Sequence, residues 1–127
     1  MALHLGDVAP DFTADTQLGE LAFHDWKGDS WVMLFSHPAD FTPVCTTEMG
    51  RFAELEDEFT GRGVKLLGLS VDTVEEHHKW IPDIEKFKGG IKLNYPIIAD
   101  AEKKVSLLYD MIHPAQGDSS SVRSVFV

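Results

Sequence analysis

Cysteine is almost missing from this sequence, because Cys45 is the single cysteine among 127 residues. One thiol excludes an internal disulfide, a Cys-x-x-Cys redox pair and a cysteine-rich zinc site. Any chemistry at Cys45 is therefore the chemistry of one isolated sulfur.

Basic residues and long apolar runs are also scarce. The chain has 11 basic and 21 acidic residues, and its formal charge is −10. Such a surface repels phosphate backbones and anionic lipid headgroups, so neither nucleic acid nor a membrane is expected as a partner. No apolar run approaches the roughly 20 residues of a membrane span, and no signal-like segment stands at the start of the sequence. We expect a soluble, cytoplasmic protein.

Hydrophobic residues make up 43% of the chain, which is enough for one core and predicts a single domain over 1–127. Two apolar runs, Trp31–Ser36 and Val64–Val71, are typical of buried strands. Between them, apolar residues recur at helical spacing from about Pro43 to Thr60, which completes a strand–helix–strand unit. The remaining predicted elements are a helix from Thr73 to about Phe87, a strand at Tyr95–Ala99, a helix from Ala101 to about Met111 and a strand at Val122–Val127. This alternation predicts an α/β fold with a central, mainly parallel or mixed sheet flanked by helices.

The final strand ends at Val127 with nothing to cover it, so we expect a fragment that lacks the C-terminal part of the fold. Its six residues include one charge, Arg123, and no proline. An apolar edge of this kind tends to pair with another chain. We therefore expect a homodimer or a higher homo-oligomer.

The segment SHPADFTPVC contains a helix start. Thr42 is a good N-cap, and Pro43 at the first helical position loses no hydrogen bond. Cys45 then falls at the third helical position, where free amides and the positive end of the helix dipole favour thiolate over thiol. The alternative is that Cys45 is a small buried hydrophobic residue and Thr42 only a cap.

The spacing Pro38-x-x-x-Thr42-x-x-Cys45 resembles the active-site signature of the peroxiredoxins, and SHPADFTPVCTTE is similar to their one-cysteine, peroxiredoxin-6-type branch. Other segments resemble the family in the same order along the chain: APDF at 9–12, LGLSVD at 67–72, YPIIAD at 95–100 and VRSVF at 122–126. The resemblance implies a thioredoxin-like fold and the reduction of hydrogen peroxide or organic hydroperoxides. It implies no metal, haem or flavin cofactor.

By position, the resemblance makes Cys45 the peroxidatic nucleophile, which becomes sulfenic acid and is reduced by an external thiol. Thr42 would bond the peroxide oxygens, Pro38 would shield the pocket, and Arg123 would pair with the thiolate and the peroxide. A guanidinium suits this role because it lowers a thiol pKa and donates to a leaving oxygen. Without the resemblance, Arg123 would be interpreted as a surface charge at a strand end.

Two supporting residues flank this set. Glu48, three residues after Cys45, resembles the family's acidic residue that orients the arginine, and otherwise it is an exposed helix charge. His37 precedes the signature proline and either tunes protonation near pH 7 or simply ends the strand.

Other chemistries are less well supported by the sequence. A cysteine hydrolase needs a histidine near the sulfur, and only His37 is a candidate. A segment around Ser30, with His24 upstream, resembles a lipase site, but Val32 replaces the expected glycine and Ser30 is interpreted as a turn residue. Adjacent His77 and His78 point apart on a helix and are predicted to be part of a solvated acidic face rather than a metal site. The non-enzymatic alternative is a catalytically weak truncated thioredoxin-fold fragment that self-assembles or binds partners.

Overall fold

The structure is a computed structural model that describes residues 6–36, 43–87, 92–109 and 125–127, without the side chains at 43–46, 48 and 125. Six strands and four helices lie within these residues. In chain order they are β1 (Thr13–Thr16), β2 (Gly19–Ala22), α1 (Phe23–Lys27), β3 (Trp31–Ser36), α2 (Pro43–Gly61), β4 (Val64–Ser70), α3 (Val74–Phe87), β5 (Ile97–Ala99), α4 (Lys104–Leu108) and β6 (Val125–Phe126).

The strands form one mixed sheet in the order β2-β1-β5-β4-β3-β6. The three central strands, β5, β4 and β3, are parallel, and the strands on both sides of them pair antiparallel. In β3 and β4 the register runs from Trp31 opposite Val64 to Ser36 opposite Leu69. The helix α2 connects these two strands, so the predicted strand–helix–strand unit is confirmed.

Alternate side chains of the central strands belong to two separate cores, because successive side chains of a strand point to opposite faces. Leu34, Leu67 and Ile98 lie on one face, and Phe35, Leu66 and Ile97 on the other. We call these the α1-side core and the α2-side core. The buried members of the α1-side core are Leu21, Phe23, Val32, Leu34, Leu67, Leu69, Ile98, Val105 and Tyr109. Those of the α2-side core are Phe35, Met49, Ala53, Leu66, Trp80, Ile84, Leu93, Tyr95 and Ile97.

The end of α2 is set by a glycine. The amides of Arg62 and Gly63 donate to the carbonyls of Phe59 and Thr60, each at 3.0 Å. Gly63 has a φ of 75°, a left-handed conformation that residues with a side chain seldom adopt. The chain therefore turns there and enters β4 at Val64.

Two predicted elements differ in extent from the structure, a third is described only in part, and three others were missed. The strand predicted over Tyr95–Ala99 begins only at Ile97, because Pro96 has no amide to donate to a ladder. The helix expected from Ala101 to Met111 is α4, Lys104–Leu108, and residues 110 and 111 lie outside the description. Of the predicted last strand, Val125–Phe126 is described. The segments of β1, β2 and α1 are short and carry no clear periodicity, so these three elements were not predicted from the sequence.

Candidate active site

The first turn of α2 contains Cys45. The helix begins at Pro43, so Cys45 is its third residue and the predicted helix start is confirmed. The first amides of a helix have no acceptor within it, and the aligned peptide dipoles make this end positive. The backbone thus places the cysteine where a negative charge on sulfur is favoured.

The other predicted site residues are described only in part. His37, Pro38 and Thr42 lie in the segment 37–42, and Arg123 lies in 110–124, both outside the described residues. Glu48 belongs to α2, three residues after Cys45, although its side chain is not described. Cys45 and Glu48 therefore share the start of one helix, and the roles of all six residues remain predictions.

The strand β6 runs antiparallel beside β3, which leads toward the cysteine. Phe126 lies opposite Leu34 and Val125 opposite Phe35. In the sequence, Arg123 precedes Val125 by two residues, and His37 follows Phe35 by two. The predicted pairing of Arg123 and Cys45 involves a residue outside the described part of the chain and stays a prediction.

Three aromatic rings, those of Phe35, Phe52 and Tyr95, pack together between the sheet and the first half of α2. The rings of Phe35 and Phe52 stack with centroids 4.3 Å apart, and the rings of Phe35 and Tyr95 meet edge to face at 5.7 Å. Met49 is 1% exposed and belongs to the same core. Burying side chains of this size stabilises the fold by about 1.5–3 kcal/mol each, so these contacts stabilise the packing of α2 on the sheet.

Tyr95 makes a direct polar contact with α2. Its hydroxyl donates to the carbonyl oxygen of Met49 at 2.9 Å and lies 3.6 Å from the Met49 sulfur. Burial raises the pKa of Tyr95 well above its usual range, and the Glu56 carboxylate raises it further. Burial also raises the pKa of Glu56, with a smaller contribution from Asp57. This contact was not predicted from the sequence. Its one signal is a tyrosine in an apolar segment, since a buried hydroxyl usually finds a partner.

The carboxyl ends of β4 and β5 carry a second polar group. The Ser70 hydroxyl donates to Asp72 Oδ2 at 2.9 Å, and the Asp100 amide donates to the Ser70 carbonyl at 2.8 Å. The Asp100 carboxylate in turn accepts from the amides of Val105 and Ser106, at 3.0 and 2.7 Å, and so caps α4. These contacts hold the carboxyl ends of the strands together, at the edge where α/β sheets commonly bind ligands.

The prediction that His77 lies on a solvated face is wrong. Its side chain is fully buried, and Nε2 donates to the Ile98 carbonyl at 3.0 Å, because the ring spans from α3 to β5. His78 is exposed, as expected for the neighbouring residue on a helix. Among the described residues, no group of three histidine, cysteine, aspartate or glutamate side chains is arranged to hold a metal ion.

The lipase-like segment has the features of a turn. The Ser30 amide donates to the Lys27 carbonyl at 3.1 Å, and β3 begins at the next residue. The His24 ring donates from Nε2 to the Ala9 carbonyl at 2.8 Å. The interpretation of Ser30 as a turn residue is confirmed.

Comparison with known proteins identifies the class. The AhpC/TSA family matches residues 5–127, so the chain belongs to this family. The chain is 52% identical over 124 residues to a 1-Cys peroxiredoxin of Dictyostelium discoideum, covering 98% of the chain and 51% of that protein. It is 50% identical over 132 residues to human peroxiredoxin-6, covering 98% of the chain and 59% of that protein. The predicted resemblance to one-cysteine peroxiredoxins is confirmed, and the chain spans about half the length of the curated relatives it matches.

Solved structures show the same fold. A cysteine-to-serine mutant of peroxiredoxin 6 from Arenicola marina matches with a TM-score of 0.91 and 45% identity, over 98% of this chain and 59% of that one. A yeast mitochondrial 1-Cys peroxiredoxin matches with a TM-score of 0.84 and 49% identity, over 96% and 55% of the two chains. The predicted thioredoxin-like α/β fold is confirmed. In the part of the chain that the structure describes, no helix is both long and apolar enough to cross a membrane.

Proposed function

We propose that this chain is a thiol-dependent peroxidase that reduces hydrogen peroxide and organic hydroperoxides through Cys45. The thiolate attacks one peroxide oxygen, the O–O bond breaks, and the sulfur becomes sulfenic acid. The leaving oxygen takes up a proton and departs as water or an alcohol. Two equivalents of thiol then reduce the sulfenic acid to the thiol, with release of one water and one disulfide.

The observation that carries this proposal is the position of Cys45 at the start of α2, a helix whose residues Met49 and Ala53 belong to the α2-side core. Reactivity toward peroxide requires thiolate, and a helix N-terminus lowers a thiol pKa. Membership of the AhpC/TSA family supports the same chemistry.

Five further roles belong to the proposal. Thr42 caps α2 and bonds the peroxide oxygens, while Pro38 shields the sulfur from water. Arg123 pairs with the thiolate and with charge on the leaving oxygen, and Glu48 orients the guanidinium. The antiparallel register of β3 and β6 supports the placement of Arg123, because Val125 lies opposite Phe35. His37, just before Pro38, would adjust protonation near the sulfur.

The reductant is an external thiol, because these residues hold no second cysteine. The yeast mitochondrial relative is described as resolved through glutathione and thioredoxin systems, which makes both classes of thiol suitable to test here. A reducing compartment supplies such thiols, so we propose a cytoplasmic location and a part in redox homeostasis. Fractionation of cells, followed by detection of the chain, tests the location.

The decisive experiment compares the parent chain with Cys45→Ser. After addition of an equimolar amount of peroxide and a sulfenate trap, intact mass should show one trap adduct on the parent and none on the variant. The alcohol of serine stays protonated and attacks peroxide poorly, so peroxide consumption should also be lost. Equal peroxide consumption by parent and variant would contradict the proposal. The comparisons do not favour the alternative of a non-enzymatic fragment.

We also propose that two chains associate through β6. Within the described residues β6 lies at one edge of the sheet, next to β3, and Val127 is 82% exposed. Edge strands in general can pair antiparallel about a two-fold axis, so that the amides and carbonyls along each edge bond those of the other. Size-exclusion chromatography with light scattering should give a dimer or a larger species. A folded monomer at high micromolar concentration would exclude this interface.

A further inference from the structure

We infer that Tyr95 is a positioning residue for Cys45, acting through its hydrogen bond to the Met49 carbonyl. The inference rests on the proposed function, in which Cys45 is the reacting group. Tyr95 touches neither peroxide nor reductant in this scheme. Its effect is on the geometry of the helix that carries the sulfur.

The contact lies one helical turn after the cysteine. In an α-helix the amide of each residue bonds the carbonyl four positions earlier, so the amide of residue 49 bonds the carbonyl of residue 45. The Tyr95 hydroxyl bonds the carbonyl of this same residue 49, at 2.9 Å. The tyrosine thus ties the peptide next to the first turn of α2 to the sheet.

Tyr95 is itself held by a side chain from the β1–β2 turn. Gln17 Nε2 donates to the Tyr95 carbonyl at 2.8 Å, and Gln17 Oε1 accepts from the Ile97 amide at 2.7 Å. These two bonds lie on either side of Pro96, which has no amide to donate. Gln17 therefore holds the backbone of Tyr95, and the Tyr95 side chain in turn holds α2.

The environment keeps these contacts rigid. Tyr95 is 1% exposed, and its ring packs edge to face on Phe35. Because its pKa lies well above the usual range, the hydroxyl remains a donor throughout the pH range in which a thiol titrates. Without the bond, the first turns of α2 would lose one anchor, and the amides that face a thiolate would be less well aligned.

Tyr95→Phe tests the inference, since it removes the hydroxyl and keeps the ring. The chain offers a matched control in Tyr109→Phe, because Tyr109 is 2% exposed and its hydroxyl donates to the Pro10 carbonyl at 2.7 Å. Tyr109 belongs to the α1-side core, on the opposite face of the sheet from α2. The main measurement is the rate of iodoacetamide alkylation against pH, which reports on Cys45 alone because the chain has no other cysteine.

We expect Tyr95→Phe to raise the apparent pKa of Cys45 by about half a pH unit. At a fixed pH below that pKa, the thiolate fraction should therefore fall roughly threefold. The second-order rate with hydrogen peroxide should fall about fivefold, because the sulfur is less well aligned. Tyr109→Phe should lose a similar amount of stability in urea and keep the parent's pH profile. A Tyr95→Phe profile equal to that of the parent would overturn the inference, whatever its stability.

Gln17→Met decides the matter if Tyr95→Phe does not fold. This variant removes both bonds to the 95–97 backbone and keeps the length of the side chain, so it should shift the alkylation profile in the same direction. An unshifted profile for folded Gln17→Met would then overturn the inference. A parent chain that consumes no peroxide would defeat the proposed function, while the alkylation profiles would still test the role of Tyr95.

Discussion

A spectroscopic titration of the two tyrosines gives a sharp test of the packing on both faces of the sheet. The chain has only Tyr95 and Tyr109, one in each core. Burial raises the pKa of Tyr109 to about 12, with a smaller contribution from the Asp11 carboxylate, and burial raises the pKa of Tyr95 well above its usual range. The folded protein should therefore form almost no tyrosinate near pH 10, where an exposed tyrosine is half ionised.

The size of the effect makes it easy to measure. At pH 11 about 10% of Tyr109 should be tyrosinate, against about 90% of an unperturbed tyrosine. Near-ultraviolet absorbance follows tyrosinate, and far-ultraviolet circular dichroism on the same samples shows whether the fold persists. The variants Tyr95→Phe and Tyr109→Phe each leave one tyrosine and so separate the two titrations.

The same shifts link stability to pH. The folded-state pKa lies above the unfolded value, so this stabilisation is fully present below about pH 10 and is lost as the pH rises toward 12. For Tyr109 the loss is about 1–2 kcal/mol once solvent screening is allowed for. Urea unfolding midpoints should accordingly fall in alkaline solution. A full tyrosinate transition near pH 10, with circular dichroism unchanged, would refute the burial of both hydroxyls.

Two further predictions concern Arg123 at the candidate site and the cap that Asp100 provides for α4. Arg123→Met should raise the pKa of the Cys45 thiol and slow peroxide attack about tenfold or more, because a fixed positive charge is lost. An identical thiolate titration in variant and parent would contradict the role of Arg123. Asp100→Ala should lower the free energy of unfolding by about 2–4 kcal/mol, since two buried amides of α4 lose their acceptor. Urea unfolding measures this loss. Asp100→Asn keeps one carbonyl oxygen and should lower the free energy of unfolding less. Equal stability of Asp100→Ala and the parent would show that the cap does not stabilise the fold.

The sequence alone was sufficient for the strand–helix–strand unit that carries the cysteine. The strand Trp31–Ser36 has the predicted bounds, and α2 begins at the predicted Pro43. These elements are predictable because their signals are local: a continuous apolar run, a helical apolar stripe and a Thr-Pro helix start. The position of Cys45 in the first turn follows directly from that start.

The tertiary structure decided the contacts between elements that are distant in the sequence. The Tyr95 hydroxyl meets Met49, and the Gln17 side chain meets the backbone of Tyr95. His77 was placed wrongly because a helix pattern with charged neighbours does not show that its ring reaches the Ile98 carbonyl. Each partner is brought close only by strand order and helix docking, which depend on the packing of the whole core rather than on any local pattern of residues.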